Sequence, residues 1–235
     1  MERKHFLKSL LLGTASVPVL LSACGKESET VTPATGTDGA TGCCSVAPTE
    51  TEGPFPTKAP ASYVRSDIRD GKAGHVMTAK ITIINANNIC AALAGALVDI
   101  WHCDAEGNYS EYGGGGMQST NYQAVHFLRG RQTTDANGQV TFTSIFPGWY
   151  SGRATHIHVH VYSASGVSLK VTQIAFPEGT GSAVAAVNGY GKGLSGYTTN
   201  ARDNVFSDGV GLELATVTGN TTDGFQLAIT FGVAA

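Results

Sequence analysis

An all-β fold, an antiparallel β-sandwich with long loops carrying the functional groups, is predicted by three features of this 235-residue sequence. Short apolar/polar alternations recur between turn signals at regular spacing, the mark of half-buried strands. Glycine is abundant at 30 residues and charged residues make up only 14% of the chain, as in turn-rich β proteins. Little of the chain follows the helical period, so helix is confined to short connections.

Residues 1–23 are expected to be a targeting segment, outside the fold. Arg3, Lys4 and Lys8 supply a positive start, and residues 10–21 an apolar run too short to span a bilayer comfortably. The run ends in Leu21-Ser-Ala-Cys24, which resembles a bacterial lipobox. The start resembles a twin-arginine signal with lysine in place of the second arginine. A buried N-terminal helix fits this order of cationic flank, small residues and cysteine poorly. The expectation is an exported, cell-envelope protein held on the membrane through a lipidated Cys24. Residues 24–47, poor in large apolar side chains, are expected to be a flexible tether, and residues 48–235 the folded domain. A net charge of −3 with no basic run excludes nucleic acid as partner.

Thr51-Glu-Gly-Pro-Phe-Pro56 is predicted to enter the domain as an extended strap, since its prolines disfavour helix. Residues 68–71 make a turn. Residues 75–85 alternate loosely through Val76, Ala79, Ile81 and Ile83 and predict a strand; residues 85–95 form a loop containing Cys90. Residues 96–104 are the clearest strand, with Leu97, Asp99, Trp101 and Cys103 on one face and Val98, Ile100 and His102 on the other. Asp104-Ala-Glu-Gly107 turns the chain and delivers Tyr109 to a loop. The glycine run 113–116 is a simple loop, with a lid role left open.

Residues 127–134 and 140–145 are predicted to pair around Asp135-Ala-Asn-Gly138, a strong hairpin signal. Residues 168–176 make a strand carrying Gln173, residues 183–190 a short helix, and residues 200–207 irregular chain. Residues 212–217 and 225–233 close the domain as a last hairpin.

The densest chemistry lies in Pro147-Gly-Trp-Tyr-Ser-Gly-Arg-Ala-Thr-His-Ile-His-Val-His-Val161. On a strand His156, His158 and His160 project one way, while Ile157, Val159 and Val161 face the core. Neutral imidazole is a common metal ligand, although a polar strand face with hydrogen-bonded histidines would read the same. Tyr109 and Tyr150 each stand where a strand hands over to a loop; either alone reads equally as a packed aromatic. Two phenols with two imidazoles form a set with a specific preference. A phenol of pKa ~10 ligates a divalent ion poorly near neutrality, whereas a trivalent ion stabilises phenolate by its charge.

The sequence resembles the intradiol ring-cleavage dioxygenases, the family of catechol and protocatechuate dioxygenases. The matching residues are Thr51-Glu-Gly-Pro-Phe55, Val98-Asp-Ile-Trp-His-Cys-Asp-Ala-Glu-Gly-Asn-Tyr-Ser110, Thr134-Asp-Ala-Asn-Gly138, Pro147-Gly-Trp-Tyr150, Arg153-Ala-Thr-His-Ile-His158 and Thr172-Gln173-Ile174. Each motif is modest, but their order is specific. The resemblance implies a β-sandwich in which Tyr109, Tyr150, His156 and His158 hold non-haem Fe(III). It also implies cleavage of a catechol-type ring with O2 to a cis,cis-muconate-type product, both oxygen atoms being incorporated. Tyr150 matches a ligand displaced by substrate, which then accepts a substrate proton. Arg153 and Gln173 match residues that contact and polarise the substrate. The link from Tyr150 to Arg153 is shorter than in the catabolic enzymes, so one pocket wall is rebuilt. Their long N-terminal helical region has no counterpart here, and whether the chain is an oligomer is left open.

His102 and His126 are expected to be hydrogen-bonded structural residues, and His160 to support the site or the structure. Export would let disulfides persist, and the expected pairing is Cys90–Cys103, with Cys43 and Cys44 joined together or to the domain. Two competing functions are a non-catalytic envelope lipoprotein that binds a ligand or partner, and an iron-holding protein without turnover.

Overall fold

Alternation along the first predicted strand becomes β1 (Val76–Asn85), in which Met77, Ala79, Ile81 and Ile83 are wholly buried. The computed structural model describes residues 44–235. The expectations for the targeting segment, for Cys24 and for Cys43 fall on residues outside that range. Among the described residues no helix is long and apolar enough to cross a membrane.

β1 pairs antiparallel with β5 (Gln139–Ile145), the strand that follows the Asp135–Gly138 turn. On its other side it pairs in parallel with β9 (Gly224–Val233). β9 carries β8 (Thr216–Asn220) antiparallel, and β2 (Ala91–Ala92) covers the end of β1. The second sheet has the order β4 (Arg129–Thr133), β3 (Leu97–Trp101), β6 (His156–Tyr162), β7 (Ser168–Ala175), with antiparallel neighbours throughout. Val98, Ile100, Ile157, Val159, Val161 and Ile174 meet Phe142, Phe225, Leu227, Phe231 and the apolar face of β1 in one core. The predicted sandwich is therefore present, with the β1–β9 pair making one sheet mixed.

The outer face of β6 is buried as well: His156, His158 and His160 are 2%, 1% and 8% exposed. The strap 44–56 passes from one sheet to the other, its Ala47 N–H donating to the Gly232 carbonyl on β9 (2.9 Å) and its Glu50 N–H to the Val171 carbonyl on β7 (3.0 Å).

Four expectations are corrected. The strands on either side of Asp135–Gly138 do not pair as a hairpin: β4 joins β3 in one sheet and β5 joins β1 in the other, so the tight turn carries the chain from sheet to sheet, a choice that local turn chemistry does not set. The disulfide joins Cys44 to Cys90, and Cys103 is a buried free thiol, not the partner of Cys90. Cys90 precedes β3 while Cys103 follows its far end. At ~3.3 Å per residue the strand holds the two apart, beyond the 4.4–6.8 Å Cα span a disulfide needs, roughly. The last hairpin begins later than predicted. Residues 212–215 turn towards the other sheet, where Glu213 O accepts from Ala175 N (2.9 Å) and Ala175 O from Ala215 N (3.0 Å), so the strand starts only at Thr216. The helix also ends early, as α1 (Ala183–Val187), capped by Ser182 Oγ accepting from Ala185 N. Asn188 takes a left-handed φ of 51° and terminates it.

Candidate metal centre

β6 sends His156 and His158 from its outer face into a closed space, and their Nε2 atoms stand 3.2 Å apart. Tyr109 reaches the same point from the loop after β3, its hydroxyl 3.2 Å from His156 Nε2. That loop closes on glycine: Gly107 has φ 90°, and a Cβ there would lie 2.3 Å from the Trp149 carbonyl oxygen. Gln118 clamps Tyr109 by accepting from its N–H (2.7 Å) and donating to its carbonyl (2.8 Å). Phe55 stacks on the phenol ring at 4.8 Å. Tyr150, half-buried, packs edge-on to Tyr109 at 5.8 Å and to His156 at 5.7 Å.

Proton placement makes this set a receptor for a cation. His156 Nδ1 faces the Ala154 carbonyl at 2.7 Å and must be its N–H, which leaves Nε2 an acceptor, with the Tyr109 hydroxyl, Arg153 Nη1 and His158 Nε2 around it. The His158 ring stacks on Trp101, centroids 4.9 Å apart. Among the described residues its Nδ1 has no hydrogen-bond partner. A proton on His158 Nε2 would satisfy His156 but leave Nδ1 a buried orphan acceptor. A proton on Nδ1 turns both Nε2 lone pairs towards one point, which a metal ion bonded to both would accommodate. Burial, then the Arg153 charge, lowers the His156 pKa to about 3. Burial likewise drives that of His158 well below its usual range. Both rings are thus neutral ligands at neutral pH. Burial raises Tyr109 well above a normal phenol and raises Tyr150 too, with the Arg153 charge opposing the rise at both. Neither phenol ionises without a strong local charge, so the donor set fits a trivalent ion.

Arg153 Nη1 lies 3.4 Å from His156 Nε2, and Nη2 donates to Gln173 Oε1 (2.6 Å). Gln173 Nε2 donates in turn to the Thr51 carbonyl (2.8 Å). Sequence reasoning missed the anchor of this chain: Asp203, in the segment read as irregular, accepts from Arg153 Nε. No local pattern marks it. It missed Arg129 too, which is wholly buried and donates to Ser110 and to the Phe55 carbonyl, fixing the segments on either side of Tyr109. His160 stands apart, bonded to Glu52, Tyr162 and Ser168. His102 bonds to the Cys103 carbonyl and Ser144, burial lowering its pKa to about 4. His126 pairs with Tyr63 and Glu111. A cleft of about 440 Å³ opens at the Tyr150 and Arg153 side of the set, lined also by Thr51, Pro54, Met117 and Val205 among others.

A family model described as "Dioxygenase" matches residues 52–204, a span that holds Tyr109, Tyr150, Arg153, His156, His158, Gln173 and Asp203. The chain belongs to the intradiol ring-cleavage dioxygenase family. Among its relatives, the catechol 1,2-dioxygenase of Acinetobacter baylyi is 32% identical over 158 residues, 58% of this chain and 48% of the relative. The chlorocatechol 1,2-dioxygenase of Rhodococcus opacus is 29% identical over 103 residues, 36% of this chain and 37% of the relative. The chain thus spans about half the length of the first of these curated relatives or less. An intradiol ring-cleavage dioxygenase of Tetranychus urticae superposes with a TM-score of 0.70 at 28% identity, covering 81% of this chain and 95% of that one. The whole-length likeness is therefore to a solved intradiol dioxygenase whose size matches the described domain.

Proposed function

We propose that this chain is a non-haem Fe(III) intradiol dioxygenase that opens a catechol-type ring with O2 to a cis,cis-muconate-type product. The supporting observation is the convergence of Tyr109, His156 and His158 on one point, with Tyr150 beside them under an open cleft. Tyr109, Tyr150, His156 and His158 are the groups that would hold iron. Bound there, ferric iron supplies Lewis acidity that stabilises phenolates and binds and activates the diol.

Each residue has a task that follows from its surroundings. His156 and His158, neutral through burial, contribute lone pairs without adding charge. Tyr109 is wholly buried and clamped by Gln118, so it stays in place. Tyr150 is half-buried at the cleft, so it is the phenolate free to leave and to take a proton from an entering diol at its Oη. Arg153, held by Asp203 and Gln173, presents a fixed positive charge where negative charge develops on the ring. Trp101, Phe55 and Cys103 pack around the buried phenol and exclude water from that side. The short Tyr150–Arg153 link leaves Ser151 and Gly152 exposed at the rim of the cleft.

The test is iron per chain together with O2-dependent formation of a muconate from catechol and larger diols by the purified protein. Protein that takes up no iron, or holds iron and consumes no O2 with any diol, would remove this reading. Export and anchoring form part of the proposal, supported by Leu21-Ser-Ala-Cys24 after an apolar run. An unchanged membrane-bound fraction in Cys24→Ala would remove that part alone.

A further inference from the structure

Five acidic side chains are buried: Asp99, Asp104, Glu111, Asp203 and Glu213. Four have a cation beside them, Asp99 with Arg131 (2.5 Å), Asp104 with Lys72 (2.7 Å), Glu111 with Arg129 (3.5 Å) and Asp203 with Arg153 (2.8 Å). Glu213 is the most buried of the five, at 0% exposed, and among the described residues no Lys or Arg pairs with it. Its Oε1 accepts from Thr172 Oγ1 (2.9 Å) and from the Gln173 N–H (3.3 Å). Its Oε2 is buried with no partner at all.

What faces Glu213 is more negative charge. Glu50, on the strap, and Asp208, in the turn after Asp203, bring one carboxylate oxygen each to within 4.8 Å of one another and of Glu213. Burial first, then Glu50 and Asp208, moves the Glu213 carboxyl up to about 7; burial and then Asp208 raise Glu50. The three carboxylates, one of them with an unsatisfied buried oxygen, have no cation paired with them among the described residues, unlike their four counterparts, although the Arg153 charge is felt at Glu50.

We propose that Glu50, Asp208 and Glu213 form a second metal site, for a hard divalent cation of the calcium class. All three donors are carboxylate oxygens, which favour calcium, magnesium or manganese over softer ions. They come from an extended strap, a surface turn and a buried turn, an irregular arrangement. Calcium tolerates that with six to eight oxygens at about 2.3–2.6 Å, whereas magnesium demands a tight octahedron. Asp208 is exposed, so water can complete the shell. The ion would tie the strap and the 203–214 segment to β7. Thr51 on that strap holds Gln173, and Asp203 on that segment holds Arg153. Occupancy would therefore steady the two residues beside the Tyr/His set.

The experiment is calorimetric titration of EGTA-dialysed protein with CaCl2 and, separately, MgCl2, with thermal unfolding alongside. Its readouts need neither iron nor turnover, so they stand or fall apart from the ring-cleavage proposal. One calcium per chain is expected with Kd on the order of 10⁻⁴–10⁻³ M, the range of sites with an exposed ligand, and about tenfold weaker magnesium binding. The unfolding temperature should rise with calcium. Asp208→Asn, an exposed substitution that leaves the fold intact, should weaken calcium at least about tenfold, as should Glu213→Gln. No saturable binding by about 10 mM CaCl2, ten times the weak end of that range, overturns the site, as does wild-type affinity in Asp208→Asn. Equal affinities for the two ions overturn the calcium class.

Discussion

Arg153 and Asp203 form a buried ion pair in which Nε lies 2.9 Å from Oδ1 and 2.8 Å from Oδ2 of the same carboxylate. Asp203 also accepts from the N–H groups of Ala154 and Val205. Three donors, through four contacts, thus fix one carboxylate, and through it the strand entry that carries His156. Removing one partner of a buried pair strands the other charge. Asp203→Ala is accordingly expected to cost about 3–5 kcal/mol of folding stability, read by urea denaturation. A loss below ~1 kcal/mol would show that Arg153 finds another partner.

Variants of the Tyr/His set should separate by role. His156→Ala or His158→Ala is expected to lose iron nearly completely. Tyr150→Phe should retain iron with a weaker visible charge-transfer band. Arg153→Ala should keep iron and colour while turnover falls roughly tenfold to a thousandfold, the effect of losing one electrostatic contact of about 1.4–4 kcal/mol. Metal analysis, visible spectra and O2 uptake on the same samples check this. Equal iron content in wild type and both histidine variants would refute the ligand set.

Glu213 gives a pH dependence of definite sign. Its carboxyl, raised from 4.5 to about 7 by burial above all, binds a proton in the folded state that the unfolded chain has released. Its contribution is thus fully present below pH 4.5 and lost as pH rises to about 7. His102, lowered to about 4 mainly by burial, acts oppositely, its contribution lost as pH falls through that value. Comparison with Glu213→Gln isolates the first term. In EGTA, wild-type stability relative to the variant should fall by on the order of 1–2 kcal/mol between pH 5 and 7.5. Parallel curves for the two proteins would contradict it.

The Cys44–Cys90 bond closes a loop across 46 residues. On chain-entropy grounds its loss in Cys90→Ser should cost about 2–4 kcal/mol. Cys103, buried with its thiol pushed up to about 12 by burial, should resist alkylation until the protein unfolds. Mass spectrometry of native and denatured samples distinguishes the two; ready labelling of native Cys103 would contradict its burial.

Gly53 takes φ 69° where the strap crosses β6, and a Cβ there would stand 3.0 Å from His158 Cε1. Gly53→Ala should therefore weaken iron retention, with a stability cost of about 1–2 kcal/mol from the left-handed backbone. Metal analysis after dialysis against a chelator measures it, and wild-type retention would show that the strap can give way.

Local chemistry decided much of this protein. Period-two alternation placed β1, β3, β6 and β7, and Asp135-Ala-Asn-Gly138 a tight turn, because strand faces and turns depend on neighbours in sequence; that this turn passes between sheets and closes no hairpin was decided by the fold. The same alternation put His156 and His158 on one face, and the order of motifs named Tyr109 and Tyr150 beside them. Tertiary structure decided whatever depends on distant segments docking. β9 lies parallel to β1 because of where the chain returns, not because of any pattern within either strand. Cys90 meets Cys44 because the strap passes the β1–β2 turn. Asp203 and Glu213, alike as acids in irregular chain, part company only in the fold. One is drawn against Arg153; the other is sealed beside Thr172, facing two more carboxylates. A charge takes its meaning from what it is buried against, and that partner lies tens of residues away.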